Sequence, residues 1–218
     1  MVLSKIPCLI FLSEPWLHLS DSSLTLEPLS HDYNFYLNSE DRHDDLLSLR
    51  KSRAHGGTLT LWRKDLDPYI TIIHPSSSRI LVMILDKPVY QTSIHVNIYL
   101  HTAGKESAFM EDLALLEATL DELAESYPDS VTYIRGDANT CIKPRLNNTR
   151  DSLFEYFLSS NTLEHVLIES IQPIIISPTT GSQTRILMFC SLPRFPVKDI
   201  QILHKRLFLQ FFLARQTA

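Results

Sequence analysis

The chain has 218 residues, of which 44% are hydrophobic and 21% are charged. This composition is typical of a globular protein with one sizeable core, which excludes a disordered chain. The longest apolar runs, Ile6–Leu12 and Leu207–Leu213, fall well short of the roughly 20 residues in a membrane-spanning helix. A net charge of -5 excludes general electrostatic attraction to nucleic acid or anionic lipid. A polyanionic partner would therefore need a local positive patch, for which residues 49–100 and 172–218 carry the excess cations.

The cysteines indicate the compartment. There are three of them, Cys8, Cys141 and Cys190, and they are far apart in the sequence. An odd and sparse set favours reduced thiols over a disulfide framework, and no cluster of cysteine and histidine indicates zinc. We therefore expect an intracellular protein, cytoplasmic or nuclear, and the sequence gives no indication of an oligomer.

The amino-terminal half reads as strands joined by turns. A short buried strand is expected at 8–12, followed by a long irregular connection over the Ser-, Asp- and His-rich residues 20–55. Further strands are expected at 58–62, 69–74, 79–85 and 93–100. In the last of these, apolar residues alternate with His95, Asn97 and Tyr99, which predicts a half-buried strand with one polar face.

The carboxyl-terminal half mixes helices and strands. Leucine and aromatic residues at three- and four-residue spacing predict a helix over 106–127, and a second helix is expected at 151–159. Strands are expected at 131–135, 171–177 and 184–190. Because helices and strands do not alternate regularly, the sequence favours an α+β sandwich over a doubly wound parallel sheet.

The most informative polar residues follow the strand at 131–135. Asp137 and Asn139 stand two residues apart after Gly136, so an extended chain presents a carboxylate and an amide on the same side. An aspartate can bind a metal or activate a water, and an asparagine amide can donate to a phosphate oxygen. Taken alone, the same residues also fit an ordinary turn and helix cap.

Five short motifs occur in a recognisable order around this site. They are Leu9-Ile-Phe-Leu-Ser-Glu14-Pro-Trp, Gly56-Gly-Thr-Leu-Thr-Leu-Trp62, Val96-Asn-Ile-Tyr-Leu-His-Thr-Ala-Gly104, Tyr133-Ile-Arg-Gly-Asp-Ala-Asn139 and Asn148-Thr-Arg150. With them, the chain over roughly residues 6 to 190 resembles the endonuclease/exonuclease/phosphatase superfamily. The closest resemblance is to the apurinic-endonuclease-like domains of non-LTR retrotransposons. The resemblance implies a two-sheet sandwich of the DNase I-like type.

The resemblance also implies a site. Glu14 matches a magnesium-ligand glutamate, and Tyr99 matches a tyrosine that meets the scissile phosphate. Asp137 matches the residue that orients and deprotonates the attacking water, and Asn139 matches the phosphate-binding residue beside it. Such a set would support in-line displacement at a DNA phosphodiester with Mg²⁺ neutralising the developing charge.

Two basic residues are candidates for contact with nucleic acid. Lys105 stands where related enzymes place a basic residue toward the nucleic-acid backbone, and a solvated lysine at the start of a helix is an equal alternative. Arg150 is either structural or phosphate-facing. The sequence leaves both choices open.

The chain departs from the family pattern at both ends. The resemblance implies a sheet that lacks the family's first strand and its metal-binding asparagine. In the late strand Ser182–Met188, Arg185 holds a position where relatives have a carboxylate, and the terminal Ser-Asp-His element has no counterpart. We therefore divide the chain into an incomplete domain, 1–192, and a divergent basic amphipathic tail, 193–218. Its apolar residues have helical spacing over 200–214, which predicts a terminal helix covering the sheet or one lying on a membrane surface.

These features leave three functions open. The first is a Mg²⁺-dependent, retrotransposon-derived DNA endonuclease, weakened by the missing groups. The second is an inactive remnant, a pseudoenzyme that at most binds nucleic acid or protein. The third is a phosphatase for inositol lipids or other small phosphate esters, which shares the same chemistry.

Overall fold

The described strands form two sheets. The structure is a computed structural model, and it describes residues 8–15, 17–39, 56–73, 77–140, 148–161, 163–167, 185–189 and 209–212. The strands are β1 (Leu9–Ser13), β2 (Tyr33–Asn38), β3 (Thr58–Arg63), β4 (Ile70–Ile73), β5 (Ile80–Leu85), β6 (Ser93–Tyr99), β7 (Val131–Asp137), β8 (Glu164–Leu167), β9 (Arg185–Phe189) and β10 (Leu209–Phe212). The α-helices are α1 (Leu19–Leu26), α2 (Glu106–Ser126) and α3 (Thr149–Ser160), and Glu27–Leu29 and Lys64–Tyr69 form 3₁₀ helices.

The two sheets differ in their hydrogen-bonding pattern. The first has the order β10-β1-β3-β2 and is antiparallel throughout. The second has the order β4-β5-β6-β7-β9-β8, in which β4, β5 and β6 are antiparallel and the pairs from β6 to β8 are parallel. Parallel pairing brings the carboxyl ends of β6 and β7 to the same edge of the sheet.

Apolar residues pack in three layers. Between the sheets, Phe11 and Trp62 pack with Met83. Helix α1 covers the outer face of the first sheet through Leu26, and α2 and α3 cover the outer face of the second through residues such as Phe109 and Phe154. The chain is therefore an α+β two-sheet sandwich with helices outside, as the sequence predicts. Within the described residues, no helix is long and apolar enough to cross a membrane.

Two of the sequence predictions are wrong. The region 20–55 is not one irregular connection, because α1, a 3₁₀ helix and β2 lie between residues 19 and 38. The helical spacing over 200–214 is also misleading, since residues 209–212 form a strand that pairs with the edge of β1. A short apolar run cannot be assigned to helix or strand by its period alone, and an unpaired sheet edge favours the strand. The strand predicted at 171–177 lies outside the described residues.

The prediction of a half-buried β6 is wrong as well. His95, Asn97 and Tyr99 are all buried, because the polar face of β6 lies against the first sheet. The Asn97 amide there donates to the carbonyl oxygens of Leu12, at 3.2 Å, and Leu59, at 3.4 Å. Alternating polar residues thus mark the interface between the two sheets, where hydrogen bonds satisfy some of the polar groups.

His95 makes folding stability sensitive to pH. Its imidazole stacks between the rings of Phe11 and Tyr133, with centroids 5.5 and 5.3 Å away. Burial, and secondarily the positive charge of Arg135, hold the pKa of His95 well below 6.5. The unfolded chain therefore binds more protons than the folded chain between the folded pKa and about 6.5.

We expect acidification to destabilise the fold through that window. The free energy of unfolding should fall by at most about 1.4 kcal/mol per pH unit as the pH drops below about 6.5. The loss should stop below the folded pKa. Urea unfolding at several pH values measures the slope, and His95→Phe should remove this contribution. Equal slopes for the two proteins between about pH 5 and 6.5 would contradict the assignment.

A strained turn joins β5 to β6. The Tyr90 amide donates to the Lys87 carbonyl at 3.1 Å, with Pro88 and Val89 at the centre of the turn. Val89 is fully exposed and has φ 73°, which a β-branched side chain disfavours. Val89→Gly should raise the free energy of unfolding by about 1 kcal/mol, whereas Val89→Ala retains the strain and should change it little. Urea denaturation compares the two, and equal stability of these variants would refute the strain.

Candidate functional site

Tyr99 and Asp137 lie side by side at the carboxyl edge of the second sheet. They are register partners at the ends of β6 and β7, and the Leu100 amide donates to the Asp137 carbonyl at 2.9 Å. Gly136 makes this close approach possible. It has φ +121°, and a Cβ atom there would lie 1.9 Å from the Ile98 carbonyl oxygen.

Glu14 comes to the same place from the first sheet. It follows β1, and its backbone amide donates to the Gly57 carbonyl at 2.9 Å. The Glu14 carboxylate lies within interaction range of the Tyr99 hydroxyl. Burial and then this carboxylate raise the pKa of Tyr99 well above its usual value, so the phenol stays protonated at neutral pH. The Ser13 hydroxyl, which donates to the Ile98 carbonyl at 3.0 Å, joins the two sheets next to this contact.

Asn139 completes the group. Its backbone amide donates to Oδ1 of Asp137 at 2.8 Å, and its side-chain Nδ2 donates to the Leu100 carbonyl at 2.8 Å. The partly exposed side chain keeps a second N–H and a carbonyl oxygen. The structure thus brings together Glu14, Tyr99, Asp137 and Asn139, although the first and last are 125 positions apart.

Backbone strain is concentrated here. Among the described residues, three that are not glycine have positive φ, and two of them are Glu14, at 55°, and Asn139, at 51°. Asparagine tolerates this conformation, whereas glutamate does not favour it. Such strain costs of order 1–3 kcal/mol and persists where a side chain must be held in a particular direction.

The strain at Glu14 predicts an unusual order of stability. Glu14→Ala and Glu14→Gly both remove the carboxylate, but only glycine relieves the left-handed backbone. We expect Glu14→Gly to be more stable than Glu14→Ala by about 1 kcal/mol. At an ordinary helix or strand position the order is reversed. Chemical denaturation of the two variants measures the difference, and a more stable alanine variant would contradict the strained conformation.

Arg79 is a site residue that sequence reasoning missed. Its guanidinium lies 5.2 Å from the centroid of the Tyr99 ring, and its Nη1 donates to the Tyr99 carbonyl at 3.2 Å. It places a cation against the ring of Tyr99. Arg79 precedes β5 in the sequence, and nothing in the local pattern indicates which distant residues it contacts.

The two predicted nucleic-acid contacts have different surroundings. Lys105 is exposed immediately before α2. This position suits a solvated lysine and a lysine that contacts the nucleic-acid backbone equally well. Arg150 is buried, with its guanidinium 3.8 Å from the centroid of the Phe109 ring. Its Nη1 donates to the Thr102 carbonyl at 3.0 Å and lies 3.2 Å from Oε2 of Glu106. These contacts favour the structural alternative for Arg150.

The carboxylate oxygens of Glu14 and Asp137 are of the type that binds a hard cation. Mg²⁺ is commonly held by one or two carboxylates and keeps several waters. A carboxylate has two oxygens, so Glu14 can accept the Tyr99 hydroxyl and still bind a metal. Asp137 accepts one backbone N–H at Oδ1, and within the described part of the chain no donor contacts its Oδ2. No group of three or more His, Cys, Asp or Glu residues that could hold a metal occurs among the described residues.

Comparisons with known proteins give only distant similarities. No family model matches the chain, and no curated protein matches it significantly. TDP2 from C. elegans has 14% identity over 61% of this chain and a TM-score of 0.40. ANGEL2, described as a 2',3'-cyclic phosphatase, has 14% identity over 68% and a TM-score of 0.44. The human Nocturnin catalytic domain, with a bound sulfate, has 11% identity over 71% and a TM-score of 0.46.

The matched structures are longer than the matching region. The chain covers 38% of TDP2, 42% of ANGEL2 and 56% of the Nocturnin domain. It therefore spans less than two thirds of each, and what those proteins do is not transferred to it by this similarity.

Proposed function

We propose that the chain is a Mg²⁺-dependent phosphodiesterase-like domain that acts on DNA with low activity. The proposal places it in the endonuclease/exonuclease/phosphatase superfamily, with a retrotransposon DNA endonuclease as its closest type. One observation supports it above the others: Glu14, Tyr99, Asp137 and Asn139 meet at one edge of the sandwich.

Each residue has a role in this proposal. Glu14 would hold Mg²⁺, which supplies positive charge against the developing negative charge of the phosphate. Asp137 is exposed, and it accepts a proton from a water held in line with the phosphorus–oxygen bond. Asn139 donates its second amide N–H to a phosphate oxygen, and the protonated Tyr99 hydroxyl lies beside the same phosphate group.

Low activity follows from the groups that the resemblance leaves without a counterpart. A single acid, base or charge-stabilising group contributes about 10²–10⁴ in rate. The family's late-strand carboxylate, at whose position this chain has Arg185, and the histidine of its Ser-Asp-His element are such groups. In the register of β7 and β9, the backbone of Arg185 lies opposite Thr132, which is five residues before Asp137.

Nicking of supercoiled plasmid DNA tests the proposal. The purified chain should convert supercoiled plasmid to the open-circular form in Mg²⁺, and excess EDTA should stop the reaction. An oligonucleotide with one abasic site tests whether the resemblance to apurinic endonucleases extends to substrate. Nicking that persists in EDTA, or a rate equal to that of buffer, would contradict the proposal.

A second candidate is an inactive module that binds nucleic acid or protein. The absence of a three-residue metal cluster from the described residues favours it, because a cation held by fewer protein ligands binds weakly. DNA binding at low salt with no nicking would identify this function. Its affinity should fall steeply with salt, since binding would depend on phosphate contacts such as Lys105.

A further inference from the structure

A histidine and a buried aspartate form a hydrogen-bonded pair next to the site. Nδ1 of His101 lies 2.8 Å from Oδ2 of Asp112, and the His101 backbone amide donates to the same oxygen at 2.8 Å. The Asp112 side chain is 8% exposed and the His101 side chain is 22% exposed. A nearly buried carboxylate thus holds a histidine that remains partly open to solvent.

One peptide group connects this pair to Asn139. The Leu100 carbonyl accepts the Asn139 amide at 2.8 Å, and the N–H of the same peptide belongs to His101 and donates to Asp112 at 2.8 Å. The next carbonyl, that of Thr102, accepts Nη1 of Arg150 at 3.0 Å. Three polar side chains therefore fix the segment that carries His101, and they fix it relative to a proposed phosphate-binding residue.

The pair also determines which nitrogen is available. An ionised carboxylate only accepts hydrogen bonds, so Nδ1 carries the proton that faces Asp112. Nε2 is then the nitrogen that can accept a proton and donate it outward, and in the described part of the chain it has no hydrogen-bond partner. When the ring is protonated, both nitrogens carry a hydrogen, and Nε2–H is then a charged donor.

We propose that His101, oriented by Asp112, is a second phosphate-binding residue of this site. Its Nε2–H would bind a phosphate oxygen next to the position served by Asn139 and Tyr99. The peptide between Leu100 and His101 accepts the Asn139 amide and donates to Asp112, so Asn139 and His101 can contact the same phosphate group. The inference rests on the proposed function for its substrate, and it names a residue that the family resemblance does not assign.

Histidine NMR of the full chain tests the inference with inorganic phosphate as the probe. With ¹⁵N-labelled histidine near pH 6, phosphate should shift the His101 Nε2 resonance in a saturable way at constant ionic strength. His31 is a matched internal control, because its Nδ1 lies 2.9 Å from Asp32 and its side chain is 91% exposed. Its shift should be about tenfold smaller or absent.

Variants of the two aspartates give the second comparison. Asp112→Asn should weaken phosphate binding at His101 by about tenfold or more, and Asp32→Asn should leave it unchanged. No shift at His101, or equal shifts at His101 and His31, would overturn the inference in the wild-type protein, whether or not the Asp112 variant folds.

The phosphate titration and the nicking assay together separate this inference from the proposed function. If phosphate shifts His101 but no Mg²⁺-dependent nicking occurs, the proposed function fails and the phosphate site stands. If the chain nicks DNA and His101 does not respond to phosphate, the proposed function stands and the role of His101 is refuted.

Discussion

Replacing Gly136 with alanine is expected to lower the free energy of unfolding by about 3 kcal/mol or more. The new Cβ would lie 1.9 Å from the Ile98 carbonyl oxygen and 2.8 Å from its backbone nitrogen and carbon. These are backbone atoms of the adjacent strand, so no side-chain rotation relieves the overlap. β6 and β7 must therefore separate where Tyr99 and Asp137 lie, and the site should be lost with the stability.

Gly104 provides the matched control for this prediction. It also has a positive φ, +86°, but a Cβ atom there would have no neighbour within 4 Å. Gly104→Ala should lower the free energy of unfolding by only about 1 kcal/mol, because it adds conformational strain of the backbone without a steric overlap. Urea denaturation of the two variants separates conformational strain from steric overlap. Equal losses for Gly104→Ala and Gly136→Ala would contradict the close packing of β6 against β7.

Replacing Asp137 with asparagine is expected to lower the rate of plasmid nicking by about 10²–10⁴. Asparagine has nearly the same shape, and its Oδ1 can still accept the Asn139 backbone amide that now donates at 2.8 Å. The variant loses only the carboxylate that accepts the proton of water. Its free energy of unfolding should therefore change little while its activity falls.

Asp86 is the control for the charge. It is an exposed aspartate directly after β5, and its Oδ1 accepts the Thr92 hydroxyl at 2.8 Å. Asp86→Asn removes the same charge from the protein at a distance from Tyr99 and should leave nicking unchanged. Rates are measured from the fraction of open-circular plasmid against time. Similar rates for wild type and Asp137→Asn would exclude Asp137 as the base.

The sequence indicated Asp137 and Asn139 as candidates because strand ends carry strong local signals. A strand that ends in Gly136 and Asp137 is readable from apolar alternation and turn residues, and parallel pairing then places Asp137 beside Tyr99. Asn139 follows by its short spacing. Glu14 and the phosphate-contacting role of Tyr99 came only from the family resemblance, since nothing near Glu14 in sequence indicates a partner on the other sheet.

Long-range pairing was not readable from the sequence. Arg79 contacts Tyr99, 20 residues away, and His101 pairs with Asp112, 11 residues away, and the sequence around these residues does not indicate either contact. The polar face of β6 was misread because alternating polar residues usually face solvent, and here Asn97 satisfies carbonyls of the first sheet instead. β2 was missed because serine and aspartate dominate the region around it.

The central claim is that Glu14, Tyr99, Asp137 and Asn139 form a metal-dependent phosphate site. Magnesium titration by isothermal calorimetry is its most direct test. Glu14→Gln is the matched variant, since glutamine keeps an oxygen that can accept the Tyr99 hydroxyl and removes only the negative charge. The wild-type chain should bind Mg²⁺ at least about tenfold more tightly than Glu14→Gln, and excess EDTA should remove the bound ion. Equal binding by the two proteins, or no binding by the wild type, would contradict the account.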